Sequence, residues 1–180
     1  FLRKNPEQPE GLDNIHEVGT LAIILKMLRM PDDSLRLLVH GTDRIRLAGP
    51  IAEEPYPSAR VERLPDTHKD SWSVKAMMRS VQNMIGKIVK LEQLPEDLAV
   101  SVNEISDPGK LADLTISHLS VKTEERQEIL GLLDVEKRLE RVLEILGRET
   151  TVMELGSEIQ NKVMSSMDKR QRESMLREQR

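Results

Sequence analysis

Four histidines, two Gly-Lys dipeptides and 31 acidic side chains are the groups in this sequence whose types could do chemistry. His16, His40, His68 and His118 lie far apart and show no metal-ligand spacing, and a metal or catalytic site needs its partners held in mutual geometry. His118 follows Leu114 by one helical turn and reads as a partly buried structural histidine. Gly86-Lys87 and Gly109-Lys110 lack the rest of a phosphate loop. That loop needs a glycine five positions before the Gly-Lys pair and a hydroxyl residue after it, so that backbone amides and the hydroxyl can hold phosphate and magnesium. Val81 and Glu104 stand at the earlier positions, and Ile88 and Leu111 at the later ones. Cysteine is absent, which excludes disulfides and thiolate ligands within this stretch. No pair of carboxylates is singled out. The reading is therefore of no catalytic, cofactor-binding or metal site here, and of a chain whose chemistry is contact with partners.

Two features carry that contact reading. Leu38 shares a strand face with Arg36 and His40 and interrupts an otherwise polar alternation. Either another element covers it or it is an exposed apolar contact; Leu38, Arg36 and His40 are the candidate substrate contacts. The second feature is the tail from Asp168 to Arg180, with five basic residues against three acidic. Its interspersed signs suit the outer face of a helical assembly. Nucleic-acid binding is not favoured, because the net charge is −4.

The elements that must position these residues fall into two kinds. Hydrophobic residues make up 38% and charged residues 32%, with only three aromatics, Phe1, Tyr56 and Trp72, so the core must be aliphatic. The longest apolar run, Leu21 to Leu25, is strand-sized and far short of a membrane span. Near residue 65 the hydrophobic period changes from two to about 3.6. Before that point come a polar loop over Asn5–Asn14 and four short strands. Thr20–Arg29 is apolar on both alternating faces at its start, as expected of a strand buried on two sides. A turn follows, in which Pro31 presets φ and Asp33 tolerates a left-handed backbone. Leu35, Leu37 and Val39 share one face, Ile45 and Leu47 follow after Gly41, and Ala59 and Val61 complete the set.

Beyond about Asp70 the chain reads as helical. Val74, Met77, Met78, Val81, Ile85 and Ile88 recur at helix spacing, Pro95 can open a helix, and Asp107-Pro108 is an N-cap followed by proline at the first helical position. Thr123 opens a short helix, Asp134 precedes another that turns Leu139, Val142, Leu143 and Leu146 inward, and Gly147 breaks the pattern. Val152, Leu155, Ile159, Val163 and Met167 form an apolar stripe along one helix. After Met167 the stripe nearly ends, so the second half of this helix cannot bury an apolar face and should project outward. The predicted class is α+β, in three segments: a β-rich unit at 1–65, a helical bundle at 66–147 and a long projecting helix at 148–180. Both ends read as cut, since Phe1 suits the end of a strand and Arg180 lies inside a helical pattern.

Glu17-Val18-Gly19-Thr20-Leu21-Ala22, Arg29-Met30-Pro31-Asp32 and Leu37-Leu38-Val39-His40-Gly41 resemble the strand–turn–strand core of the N-terminal domain of Lon proteases. Asp107-Pro108-Gly109-Lys110-Leu111-Ala112-Asp113 is similar to that family's helical stretch, and Met167 to Gln179 resembles its signature before the ATPase module. The pieces run in order across nearly the whole chain. Asp33 departs from the family's turn glycine, Ser174 from its usual aromatic and Arg180 from an apolar residue. The resemblance implies a PUA-like β subdomain whose first strands lie upstream, a helical bundle, and a long helix leading towards the AAA+ ring of a homohexamer. It implies a parent enzyme that is an ATP-dependent serine endopeptidase, using ATP and magnesium outside this stretch and degrading misfolded and regulatory proteins. Its compartment would be the bacterial cytoplasm, or the mitochondrial matrix in a eukaryote.

On this basis the leading function is substrate engagement by the β unit, with Met164, Met167, Met175 and Leu176 as inter-subunit contacts of the long helix. A standalone PUA-like binding module without ATPase or protease domains is the alternative, distinguished by whether a phosphate loop follows in the same chain. Nucleic-acid binding would show as steep salt dependence.

Overall fold

Turn chemistry at Met30–Ser34 decides how the chain folds back on itself. In the computed structural model, Asp33 N–H donates to the Met30 carbonyl at 3.0 Å and Met30 N–H donates to the Ser34 carbonyl at 2.8 Å. Pro31 supplies the first corner, and Asp33 takes the left-handed position at φ 62°. This is a three-residue hairpin loop whose last residue is usually glycine. The Asp32 carboxylate accepts from the Ser34 hydroxyl at 2.6 Å and from the Ser34 N–H at 3.0 Å. Those bonds hold its carboxyl below the ordinary aspartate range.

The structure describes residues 1–8, 11–52, 55–56, 58–67, 70–91 and 96–178, without the side chains of Leu12, Glu96, Leu98 and 167–178. His68 and Pro95 lie outside the described residues. The loop joins β1 (Val18–Arg29) to β2 (Leu35–Ala52), and β3 (Ser58–Arg63) pairs with the far half of β2, giving an antiparallel sheet of order β1-β2-β3. Instead of the two short strands expected on either side of Gly41, β2 is one strand of 18 residues. The glycine does not start a turn. Leu21 pairs with Asp43 and Ala22 with Gly41, so Thr42 is an extra residue absorbed as a bulge.

Helices follow: α1 (Trp72–Leu91), α2 (Glu96–Asn103), α3 (Pro108–His118), α4 (Thr123–Gly131) and α5 (Val135–Glu178). The α+β class expected from the sequence is thus observed. Contacts divide the chain into two units, residues 1–68 with 120–135, and 69–119 with 136–180. These differ from the segments 1–65, 66–147 and 148–180, because α4 joins the sheet and α5 is continuous through Gly147.

In the first unit, α4 is tied to the sheet by Gln127 Nε2 donating to the Val18 carbonyl at 2.9 Å, and by Arg44 Nε donating to the Leu130 carbonyl at 3.1 Å. Asn14 ties the two ends of the polar N-terminal loop together. Asn14, buried, accepts from Asn5 N–H at 2.9 Å and donates to the Asn5 carbonyl at 2.7 Å. Phe1 lies over Gly19, where an added Cβ would fall 2.5 Å from its ring.

The second unit holds most of the core. Ser71 Oγ accepts from Val74 N–H at 3.1 Å and opens α1; Asp107 accepts from Lys110 N–H at 2.8 Å and opens α3 with Pro108 at its first position. Val81, Ile85 and Ile88 of α1, Leu111 and Ile116 of α3, and Leu139, Val142 and Leu146 of α5 are buried. Gly147 does not end the helix. A mid-helix glycine costs about 1 kcal/mol, less than the packing of Ile145, Leu146 and Thr150 around it contributes. His118 is exposed, not partly buried, because it sits at the end of α3 with Nδ1 2.9 Å from the Leu114 carbonyl.

Candidate functional site

Of the seventeen apolar side chains buried among the described residues, only Ile45, Ile129 and Val135 belong to the unit that contains the sheet. Nearly half of that unit's described large apolar residues are instead exposed. Nine of them between Ile23 and Val39 are 47–62% exposed: Ile23, Ile24, Leu25, Met27, Leu28, Leu35, Leu37, Leu38 and Val39. The expectation of a strand buried on two sides at Thr20–Arg29 is therefore corrected. Pairing explains why. Beyond the base of the hairpin, β1 and β2 pair only with each other among the described residues, since β3 pairs with β2 from Ile45 onward and α4 is bonded at Val18.

The register sorts these residues onto two faces. Directly paired residues of an antiparallel ladder project to the same side. Ile24 pairs with Val39, Met27 with Leu37 and Arg29 with Leu35, so Leu35, Leu37 and Val39 sit on a face that is apolar except at its tip. At that tip Arg29 is held by Asp33 at 3.0 Å. Ile23 pairs with His40, Lys26 with Leu38 and Leu28 with Arg36 on the opposite face. Leu25 has no partner, and this bulge lets Lys26 fall beside Leu38 instead of on the apolar side.

The structure thus brings Leu38, Arg36 and His40 together on one exposed face, and Leu38 is uncovered among the described residues. Sequence reasoning missed the β1 half of the same surface, Ile23, Lys26 and Leu28, because their alignment exists only through the register. Met164, named as a helix contact, is 68% exposed on α5, and the side chains of Met167, Met175 and Leu176 lie outside the described residues. Val152, Leu155, Ile159 and Val163 form an exposed stripe on α5.

Covering a half-exposed aliphatic side chain contributes about 1 kcal/mol. Nine together give roughly 10 kcal/mol before the cost of ordering a partner. A two-stranded ribbon with apolar faces and open edges is a surface that takes up extended polypeptide, through its edges and its side-chain rows. Among the described residues no group of three or more His, Asp or Glu could hold a metal ion, and no helix is long and apolar enough to cross a membrane.

Comparison with known proteins gives this surface a context. The family description "ATP-dependent protease La (LON) substrate-binding domain" matches residues 1–148. The chain belongs to this Lon substrate-binding domain family. Lon protease of Dictyoglomus thermophilum is 37% identical over 99% of the chain, which covers 23% of that protein. Lon protease 2 of Herpetosiphon aurantiacus is 39% identical over 92% of the chain and 20% of its own length. The chain therefore spans about a fifth of these relatives. The solved N-terminal domain of Mycobacterium avium complex Lon protease superposes with TM-score 0.67 at 18% identity, covering 77% of this chain and 74% of that one, and so shares the fold. In this Lon domain the hairpin carries nine of the exposed large apolar side chains among the described residues, and the family's binding role makes it the candidate site.

Proposed function

We propose that this chain is the substrate-engaging region of an ATP-dependent Lon-type serine endopeptidase, and that it holds unfolded protein segments on the β1–β2 ribbon. The observation that carries the reading is the set of nine apolar side chains exposed on both faces of one hairpin, in a family described as substrate-binding. Weak, non-directional contacts of this kind suit misfolded and regulatory substrates, which share exposed aliphatic residues and no single sequence. ATP, magnesium and the hydrolytic residues belong to other parts of the parent protein; this chain's role is to hold polypeptide near them. Helix α5, with its exposed Val152, Leu155, Ile159, Val163 and Met164, would pack against neighbouring copies in a homohexamer, in the bacterial cytoplasm suggested by its bacterial relatives.

The test uses the full-length protein carrying Leu35→Asp and Leu37→Asp. Binding of fluorescently labelled casein, an unfolded protein, should weaken at least tenfold, while hydrolysis of a short peptide and of ATP stays unchanged. Unaltered casein binding in a variant that keeps its thermal stability would overturn the reading.

A further inference from the structure

The two faces of the ribbon are not equivalent. One carries Ile24, Met27, Leu35, Leu37 and Val39, with its single cation at the tip neutralised by Asp33. On the other, each cross-strand pair joins an apolar residue to a basic residue or a histidine: Ile23 with His40, Lys26 with Leu38, Leu28 with Arg36. The apolar member alternates from strand to strand, so the face is a checkerboard. Arg36 and His40 are exposed and so is Lys26, and among the described residues neither Lys26 nor Arg36 takes part in an ion pair. No acidic residue occurs in the ladder from Ile23 to Arg29 or from Leu35 to His40.

The ribbon also has a free edge. β2 is paired with β3 only from Ile45, and Leu64 N–H donates to the Arg44 carbonyl at 2.9 Å. From Leu35 to Asp43 its outer side has no strand beside it among the described residues. A segment added there would hydrogen-bond to the β2 backbone and send alternate side chains to opposite faces. One set of its side chains would lie beside Leu35, Leu37 and Val39. The other would lie beside Arg36, Leu38 and His40.

From this we infer that the ribbon selects extended segments in which apolar residues alternate with acidic ones, adding them as a strand along Leu35–His40. The apolar set covers the apolar face, and carboxylates meet Arg36 and, across the face, Lys26. A segment with basic residues at the same positions would set like charges side by side. This inference rests on the proposed polypeptide-binding role and names the substrate class of that same surface.

The experiment compares two labelled peptides on the full-length protein, (Val-Glu)₅ and (Val-Lys)₅, together with unfolded casein and a single-stranded oligonucleotide. Each exposed charge pair is worth on the order of threefold in affinity, so the acidic peptide should bind about tenfold more tightly than the basic one. Raising salt should narrow the gap. The double variant Lys26→Glu/Arg36→Glu should reverse the preference, and the milder Arg36→Gln should reduce it, with thermal stability kept because both sites are exposed. Equal affinity for the two peptides, or a preference untouched by charge reversal, overturns this inference but leaves the binding role standing if Leu37→Asp still weakens casein binding. Loss of no binding at all in Leu37→Asp sinks the underlying role instead. Tighter, Lys26- and Arg36-dependent binding of the oligonucleotide than of the acidic peptide also overturns the inference, because the cations would then serve phosphates.

Discussion

Arg138 on α5 has no solvent exposure, yet its guanidinium reaches the Asp113 carboxylate of α3 at 3.5 Å, and that carboxylate is 40% exposed. A buried guanidinium keeps its charge and so must keep its partners. Asp113→Ala should lower the unfolding free energy by roughly 1–3 kcal/mol, the lower end reflecting the half-exposed partner. Thermal or urea unfolding measures it. Arg138→Met in the Asp113→Ala background should recover part of the loss, since it removes a buried charge that has lost one of its partners.

Asp33 occupies a left-handed position at φ 62°. Left-handed backbone costs an L-residue about 1–2 kcal/mol, somewhat less for aspartate. Glycine removes that strain but loses the exposed contact with Arg29 and adds unfolded-state entropy. Asp33→Gly should therefore raise stability by only about 0.5 kcal/mol, whereas Asp33→Val should lower it by more than 1 kcal/mol, roughly. Denaturant midpoints of the two variants give the comparison.

The Asp32 carboxyl is held low by the Ser34 hydroxyl and then by the Ser34 N–H. A depressed folded-state pKa means that the turn's contribution is present above the unfolded value of about 3.9 and is lost as pH falls through the lower folded value. Carbon-13 titration of the Asp32 carboxyl should give a midpoint below 3.9, roughly the model-peptide value, and Ser34→Ala should return it towards that value. A midpoint that ignores Ser34→Ala would contradict the turn geometry.

Thr115 is 1% exposed, and its hydroxyl has no hydrogen-bond partner among the described residues. An unsatisfied buried hydroxyl costs about 1–3 kcal/mol. Thr115→Val keeps the shape and removes the polar atom, so it should raise stability by about 1 kcal/mol. Calorimetric melting checks the sign.

Leu155 and Ile159 are exposed on α5. Leu155→Asp/Ile159→Asp should leave the stability of the single chain within about 0.5 kcal/mol per site. In the full-length protein it should shift the sedimentation profile towards smaller species if this stripe packs between copies. An unchanged profile would remove α5 from the proposed assembly.

Local chemistry was the legible part. Asp107-Pro108 as a helix start, the apolar period of α1 and the left-handed tolerance of Asp33 are each decided within a few residues, and the structure keeps all three. What depends on a distant partner was not legible. The register alone shows that Thr42 is an extra residue beside Leu21 and that Lys26 falls beside Leu38. Asn14 closing on Asn5 spans a loop, and Gly147 stays helical because of tertiary packing that no local penalty reveals. Most instructive is β1, where two apolar faces mean either two covers or two exposed surfaces, and periodicity reads the same in both cases. The candidate site inherits that split: Arg36, Leu38 and His40 share a face by simple alternation, while their partners across the ladder wait on pairing.

A strand has only two phases, and Leu25 is the point where β1 changes from one to the other. The residues on its two sides are therefore set independently: Ile23 and Ile24 answer to the base of the hairpin, Lys26 to Arg29 to its tip. Were Leu25 taken into the ladder as an ordinary paired residue, the phases beyond it would exchange, turning Lys26 into the aliphatic row and Met27 out among the cations. No side chain would change, yet the ribbon would lose the distinction between its sides.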